Sequence, residues 1–364
     1  MTRENLTPRS RCAPRTCVPV TQLLLALAAA VAAPSAAAND GFGALGAGGV
    51  VLGKTDKIAM SRELLDISCA RIQVRYDFVN ESDADVTTDI SFPLPPYPAN
   101  QNESGVIAHG QPAAFTVLVE GKPQPFRTRV RAKHQGKDVT ASLREIGYDD
   151  RQIATFPFDD KLLRQGHEVP DEDPRKSALR RAGLIENDMP TWTIEVAYEW
   201  RQTFPARAHL HVEHSYRPFT AEGSASGYLP GANGGRVGAA PLEQFCPAPA
   251  QIDQLHRLFD DPTRRDPYGL LPGTIVDYLL TTANTWKDGI RDFTLRLHPE
   301  APDQVVALCF PGRARKLDDG GVEVHIRNFR PRRELHAYIG NLRACRGATS
   351  YGEAPAFAPP APTP

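Results

Sequence analysis

The sequence predicts a mostly β protein, built from antiparallel β-sandwich-like units with a few short helices. Three observations predict it. Apolar and polar residues alternate with period 2 in run after run, the mark of strands with one buried face. Proline (33) and glycine (28) are abundant among 364 residues while methionine is scarce (3), which favours turns and short strands over long helices. Clusters of turn-forming residues separate the alternating runs, as in antiparallel sheets.

The elements follow in order. Ile72, Val74, Tyr76 and Phe78 alternate with Arg71, Gln73, Arg75 and Asp77, so one face is apolar. Asn80-Glu81-Ser82-Asp83 is turn chemistry. Val86, Thr88, Ile90 and Phe92 form the return strand, which Pro93, Pro95 and Pro96 stop because proline has no N–H for a ladder. Phe115, Val117 and Val119 make a strand that ends at Glu120-Gly121-Lys122. The next strand puts Arg127, Arg129 and Arg131 on one face, read as a solvated surface. Asp138 is placed to cap a short helix over 139–146 that Gly147 ends. Residues 148–190 read as charged surface loop with a short helix near Leu162. Ile194, Val196, Tyr198 and Trp200 then mark the clearest strand, and residues 208–216 another. The Gly/Ala-rich stretch 221–241 reads as a flexible linker or loop. Ile252, Leu255, Leu258 and Phe259 have helical spacing, and strands are expected at 275–281, 293–298, 304–309, 322–327 and 334–340.

The N-terminus carries an address. Arg3, Arg9, Arg11 and Arg15 precede an apolar run, Leu23 to Ala33, which leads into Pro34 and Ser35-Ala36-Ala37-Ala38. Basic, apolar and small regions in that order make a secretory signal over residues 1–38, cleaved after Ala38. The run is shorter than the roughly 20 residues a bilayer span takes, and no later segment is long enough, so no transmembrane span is expected after removal. The expected organisation is an N-terminal β-sandwich-like domain over 39–220, the 221–241 linker, a C-terminal β-rich domain over 242–345 and a disordered Pro/Ala-rich tail over 346–364. The protein is expected to be periplasmic or secreted.

Lys+Arg (42) and Asp+Glu (43) balance to a formal charge of -1, and removal of the signal takes four arginines and one glutamate. That balance excludes a nucleic-acid binder of the usual basic kind. Four cysteines remain: Cys69, Cys246, Cys309 and Cys345. Their wide spacing argues against a zinc cluster, and an even count in an exported chain suggests up to two disulfides. Cys246 and Cys309, both beside elements of the C-terminal half, are paired in this reading. Cys69 and Cys345 form a second bridge or stay as two thiols.

Gly41-Phe42-Gly43-Ala44-Leu45-Gly46 has the G-x-G-x-x-G spacing, but no strand is expected before it, so it reads as a flexible mature terminus and no cofactor is expected. Gly223-Ser224-Ala225-Ser226-Gly227 has Ala225 where a nucleophile elbow needs serine. Asp149-Asp150, Asp159-Asp160 and Asp171-Glu172-Asp173 lack the spacing of a calcium loop and read as solvated. Trp192, Trp200 and Trp286 are too scattered for a carbohydrate platform, and Trp200 reads as core. His209, His211 and Glu213 share one strand face, at i, i+2 and i+4, and are candidate ligands of a divalent metal. The competing reading of that strand is a polar solvent face. Leu210, Val212, His214 and Tyr216 then point to the core, with His214 semi-buried and hydrogen-bonded.

Several stretches occur in a telling order: Asn39-Asp40, Gly48-Gly49-Val50-Val51, Ile58-Ala59-Met60 with Glu63-Leu64, the strand from Arg71 to Val86, and Phe92 to Pro95. They continue through Tyr198 to Ala206, Val212 to Pro218, Thr281 to Leu295, Leu308 to Gly312 and Asn328 to Pro331. Together they resemble an exported bacterial family, the domain-of-unknown-function 4424 family. The chain departs from the family at Cys69, where proline is frequent, and at Asp288-Gly289, where glycine-proline is usual. The resemblance implies an extracytoplasmic protein and carries over no catalytic residue. The N-terminal part is also similar to the vault/inter-alpha-trypsin type domain, which supports a sandwich.

Functionally the sequence points to a non-enzymatic binding or interaction module of the cell envelope, with an unspecified envelope protein or ligand as partner. The alternative is an envelope hydrolase or metal-dependent enzyme, built from the His209–Glu213 strand, His214 and carboxylates of the 148–160 region.

Overall fold

A computed structural model describes residues 41–46, 49–99, 113–155, 173–218, 223–230, 236–237, 240–265 and 269–341. Three sheets, antiparallel except for one parallel strand pair, account for most of them. The eight-stranded sheet begins with β21 (Ala314–Lys316), β22 (Val322–Phe329), β19 (Lys287–Leu297) and β3 (Ile58–Ile67). It continues through β4 (Ile72–Asn80), β14 (His209–Arg217), β7 (Ala113–Val119) and β8 (Lys122–Pro123). The seven-stranded sheet runs β10 (Lys137–Asp138), β9 (Arg127–His134), β13 (Thr193–Phe204), β5 (Val86–Pro93), β1 (Gly41–Gly46) and β2 (Gly49–Leu52), with β6 (Tyr97–Pro98) also on β13. The six-stranded sheet runs β17 (Ala240–Pro241), β16 (Arg236–Val237), β15 (Gly223–Leu229), β18 (Leu271–Tyr278), β23 (Leu335–Gly340) and β20 (Val305–Leu308). A two-stranded hairpin, β11 (Ile185–Glu186) with β12 (Met189–Pro190), stands apart.

The mostly β expectation is met, and the alternating runs explain how the sheets pack. On β4 every second residue from Ile72 to Asn80 is buried and the residues between are half-exposed. Its inner face meets the inner face of β13 and β5 in an aromatic seam. Phe78 lies 5.6 Å from Phe204 and 4.6 Å from Trp286, and Phe115 stacks on Tyr198 at 4.0 Å. Rings bury the most area per residue, so this seam is the main apolar contribution to the first sandwich. The same core runs on to Val276, Tyr278, Ala337 and Ile339 of the six-stranded sheet, and the hydroxyls of Tyr76 and Tyr278 meet at 3.1 Å. Trp192, Trp200 and Trp286 are all buried in it.

Asn80 fixes the corner after β4. It is 1% exposed, and its side-chain amide donates to the carbonyls of Ala84 and Phe204, both at 2.9 Å. Its Oδ1 accepts from the N–H and hydroxyl of Ser82. One buried side chain thus ties the turn to the end of β13 in the facing sheet.

The structure corrects several readings. The glycine-rich run 41–46 is a strand paired with β2 and β5, not a flexible terminus, and it is followed by strand β2. The 221–241 stretch contributes β15, β16 and β17. Strands from both sides of that stretch share the eight-stranded sheet, because β19 pairs with β3 in parallel. Arg127 and Arg129 are not merely solvated: both bond Glu199, which is 2% exposed, at 2.9 and 3.1 Å. Val139 rather than Asp138 caps the Thr140–Ile146 helix, while Asp138 Oδ1 accepts from the Thr140 N–H at 2.9 Å; Gly147 ends the helix in the left-handed region as expected. Short helices at Asp150–Thr155 and Lys176–Arg181 interrupt the 148–190 stretch. Residues 1–38, Leu162, Asp159-Asp160, Asp171-Glu172 and the tail 346–364 lie outside the described residues.

The Cys246–Cys309 disulfide is present, with Cα atoms 5.0 Å apart. It fastens a cover over a strand edge. β20 ends its sheet, and beside it lie the 3-10 turn Leu242–Phe245 and the amphipathic helix Pro249–Asp260. Gln251 of that helix donates to the carbonyl of Val306 at 2.5 Å, satisfying an edge group. Cys69 is disulfide-bonded, the first of the two alternatives the sequence leaves for it; Cys345 lies outside the described residues.

Candidate functional site

Strand β3 carries the site. Its sequence, IAMSRELLDI, lacks clean alternation because the strand is bulged. Met60 opposes Phe78 of β4, and the next paired residue, Arg62, opposes Asp77. Ser61 is therefore the extra residue of a β-bulge, and its hydroxyl donates to the carbonyl of Asp77 at 2.7 Å. A bulge re-aims the side chains next to it. Here it brings Ser61 and Arg62, consecutive residues, to one outer face.

β19 on the other side is irregular at the same level. Its register against β3 shifts between Lys287 and Ile290, where Asp288 and Gly289 both have positive φ (66° and 73°). A Cβ at Gly289 would lie 2.7 Å from the carbonyl oxygen of Phe329, so only glycine fits. The β3 bulge borders a concavity of ≈ 510 Å³, lined by Ser61, Arg62, Asp292, Thr294, Arg296, Glu323 and His325.

The charges around it form cross-strand pairs. His211 Nδ1 on β14 meets Asp77 on β4 at 2.8 Å. His325 Nε2 on β22 meets Asp292 on β19 at 3.0 Å. Arg296 bonds Glu323 at 2.8 Å, and Glu323 also holds Arg315 at 2.7 Å. Arg75 bonds Asp66 at 3.0 Å, and His298 bridges Asp66 and Asp319. Arg62 is the exception. It is exposed, it stands opposite Asp77, and it lies at the level of Asp292, since Phe293 is opposite Glu63. It has no ion-pair partner among the described residues. Each flanking carboxylate is engaged by a histidine instead.

Two carboxyls at and beside the site, Glu323 and Asp66, are held below their ordinary range. Burial pushes the Asp66 carboxyl up, but the His298 hydrogen bond and the guanidiniums of Arg296 and Arg75 outweigh it and hold it below the usual range. Hydrogen bonds from Arg296 and Arg315 hold Glu323 down as well. The Asp66 hydrogen bond raises His298 against the opposing effect of burial. A general acid needs the opposite, a carboxyl kept protonated near neutral pH.

The expected metal strand is placed as read. His209, His211 and Glu213 share the outer face of β14, while Leu210, Val212, His214 and Tyr216 face inward. Each outward residue faces a different neighbour. His211 is with Asp77, Glu213 Oε1 accepts from Gln73 at 2.7 Å, and His209 is exposed opposite Val79. Among the described residues no group of three or more His, Cys, Asp or Glu is placed to hold a metal ion. His214 is fully buried rather than semi-buried, ringed by Tyr76, Phe92, Phe115 and Trp200 at 5.1–5.6 Å. In the 148–160 region Asp150 bonds Arg144 and Asp149 accepts from the N–H of Gln152.

None of the concavity's lining residues was singled out from sequence. Outward polar side chains at i, i+2 and i+4 on β19 (Asp292, Thr294, Arg296) and alternate positions on β22 (Glu323, His325) are the available signal. It marks a polar face and not which strand lies beside it.

Fold and face together define a multi-sheet antiparallel β protein with a charged concave surface on its largest sheet. The chain belongs to the family described as domain of unknown function (DUF4424), whose model matches residues 38–337. No curated protein matches it. Among solved structures it is similar to a Legionella pneumophila protein described as a "putative nutrient binding protein". Identity is 15%, the TM-score is 0.39, and the match covers 84% of this chain and 72% of that one. A likeness at that level carries no argument about this chain.

Proposed function

We propose that the protein is a non-enzymatic binding module of the cell envelope, exported through residues 1–38 to the periplasm or beyond. Its binding surface in this reading is the outer face of the eight-stranded sheet at the β3 bulge. One observation carries the proposal: the bulge presents an unpaired guanidinium, Arg62, in a concavity whose other charged side chains hold one another. An unpaired arginine fork on a rigid sheet is pre-organised for an anionic group, and binding it requires no internal pair to break.

The edges of the sheet favour the face over strand addition. β8 is two residues long and ends in Pro123, and β21 is a three-residue, fully exposed Ala-Arg-Lys segment. Short, charged or proline-bearing edges resist pairing with another chain. Among the described residues no helix is long and apolar enough to cross a membrane.

The test is native mass spectrometry of the protein isolated from its own envelope fraction, wild type beside Arg62→Gln. The expected result is a bound mass, small molecule or protein, on the wild type that the variant has lost. Equal retention by both would contradict the proposal.

A further inference from the structure

The charges flanking Arg62 say more about what it binds. This step rests on the binding reading above. Three strands bring Asp77, Arg62 and Asp292 side by side on β4, β3 and β19. Neighbouring strands lie about 4.8 Å apart, near enough for ion pairs to form across them. Neither forms. Asp77 Oδ1 is taken by His211 and Asp292 Oδ1 by His325. Asp292 Oδ2 and the Thr294 hydroxyl, both on the concavity's wall, have no partner among the described residues.

The wall therefore offers a cationic fork and, beside it, a carboxylate oxygen that accepts. Glu323 is held by Arg296 and Arg315, but a simple dianion such as phosphate on Arg62 would also face Asp292, whose Oδ2 no cation among the described residues holds, and like charges at that range are unfavourable. A ligand with a carboxylate and an ammonium group satisfies both sides. We propose that the concavity binds a small zwitterion of the amino-acid class. Its carboxylate sits on the Arg62 guanidinium and its ammonium donates to Asp292 Oδ2, with the Thr294 hydroxyl as a further hydrogen-bonding group. The wall is polar and open to solvent, so it suits a small ligand held mainly by its charged groups.

The experiment is calorimetric titration of the mature, disulfide-intact protein with each of the twenty protein amino acids and with glycylglycine. The best binder is then compared with its des-amino acid and its decarboxylated amine. The proposal expects at least one binder, with both truncated analogues at least tenfold weaker. Arg62→Gln should weaken binding at least tenfold without changing the melting temperature, because Arg62 is exposed and unpaired. Asp292→Asn should weaken the zwitterion more than its des-amino analogue.

Three results overturn it: no binding by any of the twenty-one probes, a des-amino analogue as tight as its parent, or undiminished binding by Arg62→Gln. The second would reveal a plain anion site and leave the binding reading of Arg62 standing. If no probe binds, loss of the envelope-derived mass from Arg62→Gln would still support that reading and would refute only the zwitterion.

Discussion

Asn80 and His298 show what single side chains hold together. The Asn80 side chain serves two buried carbonyls and the Ser82 turn at once. Asn80→Ala leaves those groups unsatisfied, and about 2–3 kcal/mol of unfolding free energy should be lost in urea titrations. His298 gives a pH dependence with a definite sign. Its folded-state affinity for a proton is raised by Asp66 and Asp319, so the protonated ring stabilises the fold. That contribution is full below its ordinary value of about 6.5 and disappears as pH rises through the raised folded value. His298→Gln should therefore cost more stability at pH 5.5 than at pH 8.5. Equal losses at both would mean the ring acts by packing alone. Glu81 runs the other way. Hydrogen bonds from Arg291 and Lys287 lower it to about 2, so its contribution is present at neutral pH and fades in acid.

Two short stretches control whole elements. Gly289 permits the kink that starts β19 beside β3, and Gly289→Ala adds a Cβ 2.7 Å from a backbone oxygen at a φ of 73°. A loss of about 2 kcal/mol or more is expected, read as a lower melting midpoint. The Cys246–Cys309 bridge closes a separation of 63 residues and secures the cover of β20. By chain-entropy reasoning it contributes about 4 kcal/mol. The Cys246→Ser, Cys309→Ser double variant should lose most of that and should exchange the β20 amides for deuterium faster than those of β4. Strands with one buried face, such as β4, β13 and β14, were legible because alternation reports burial directly. β3 was not. It is central, it buries Glu63 and Leu64 as neighbours, and its bulge breaks the period at Ser61. The element that carries the site is thus the one whose local pattern the tertiary structure overrides.

Across the molecule, the parallel pairing of β3 with β19 joins segments more than two hundred residues apart, and no short-range signal reports it. That pairing sets Arg62 beside Asp292, so the polar character of the face was readable while the concavity was not. The disulfide was readable because both cysteines fall beside elements of the C-terminal half, an even count of cysteines remaining after the signal. The metal reading of β14 was right about which residues share a face, but the register sends each to its own partner. The central claim is that one guanidinium, Arg62, is free for a ligand while its neighbours are committed. The most direct measurement follows the side-chain Nε–H signals of arginine-labelled protein by NMR, assigned with Arg62→Gln, before and after addition of envelope extract. The Arg62 signal should shift while those of Arg75 and Arg315, which do not line the concavity, stay in place. A stationary Arg62 signal, with shifts elsewhere on the protein, would contradict the account.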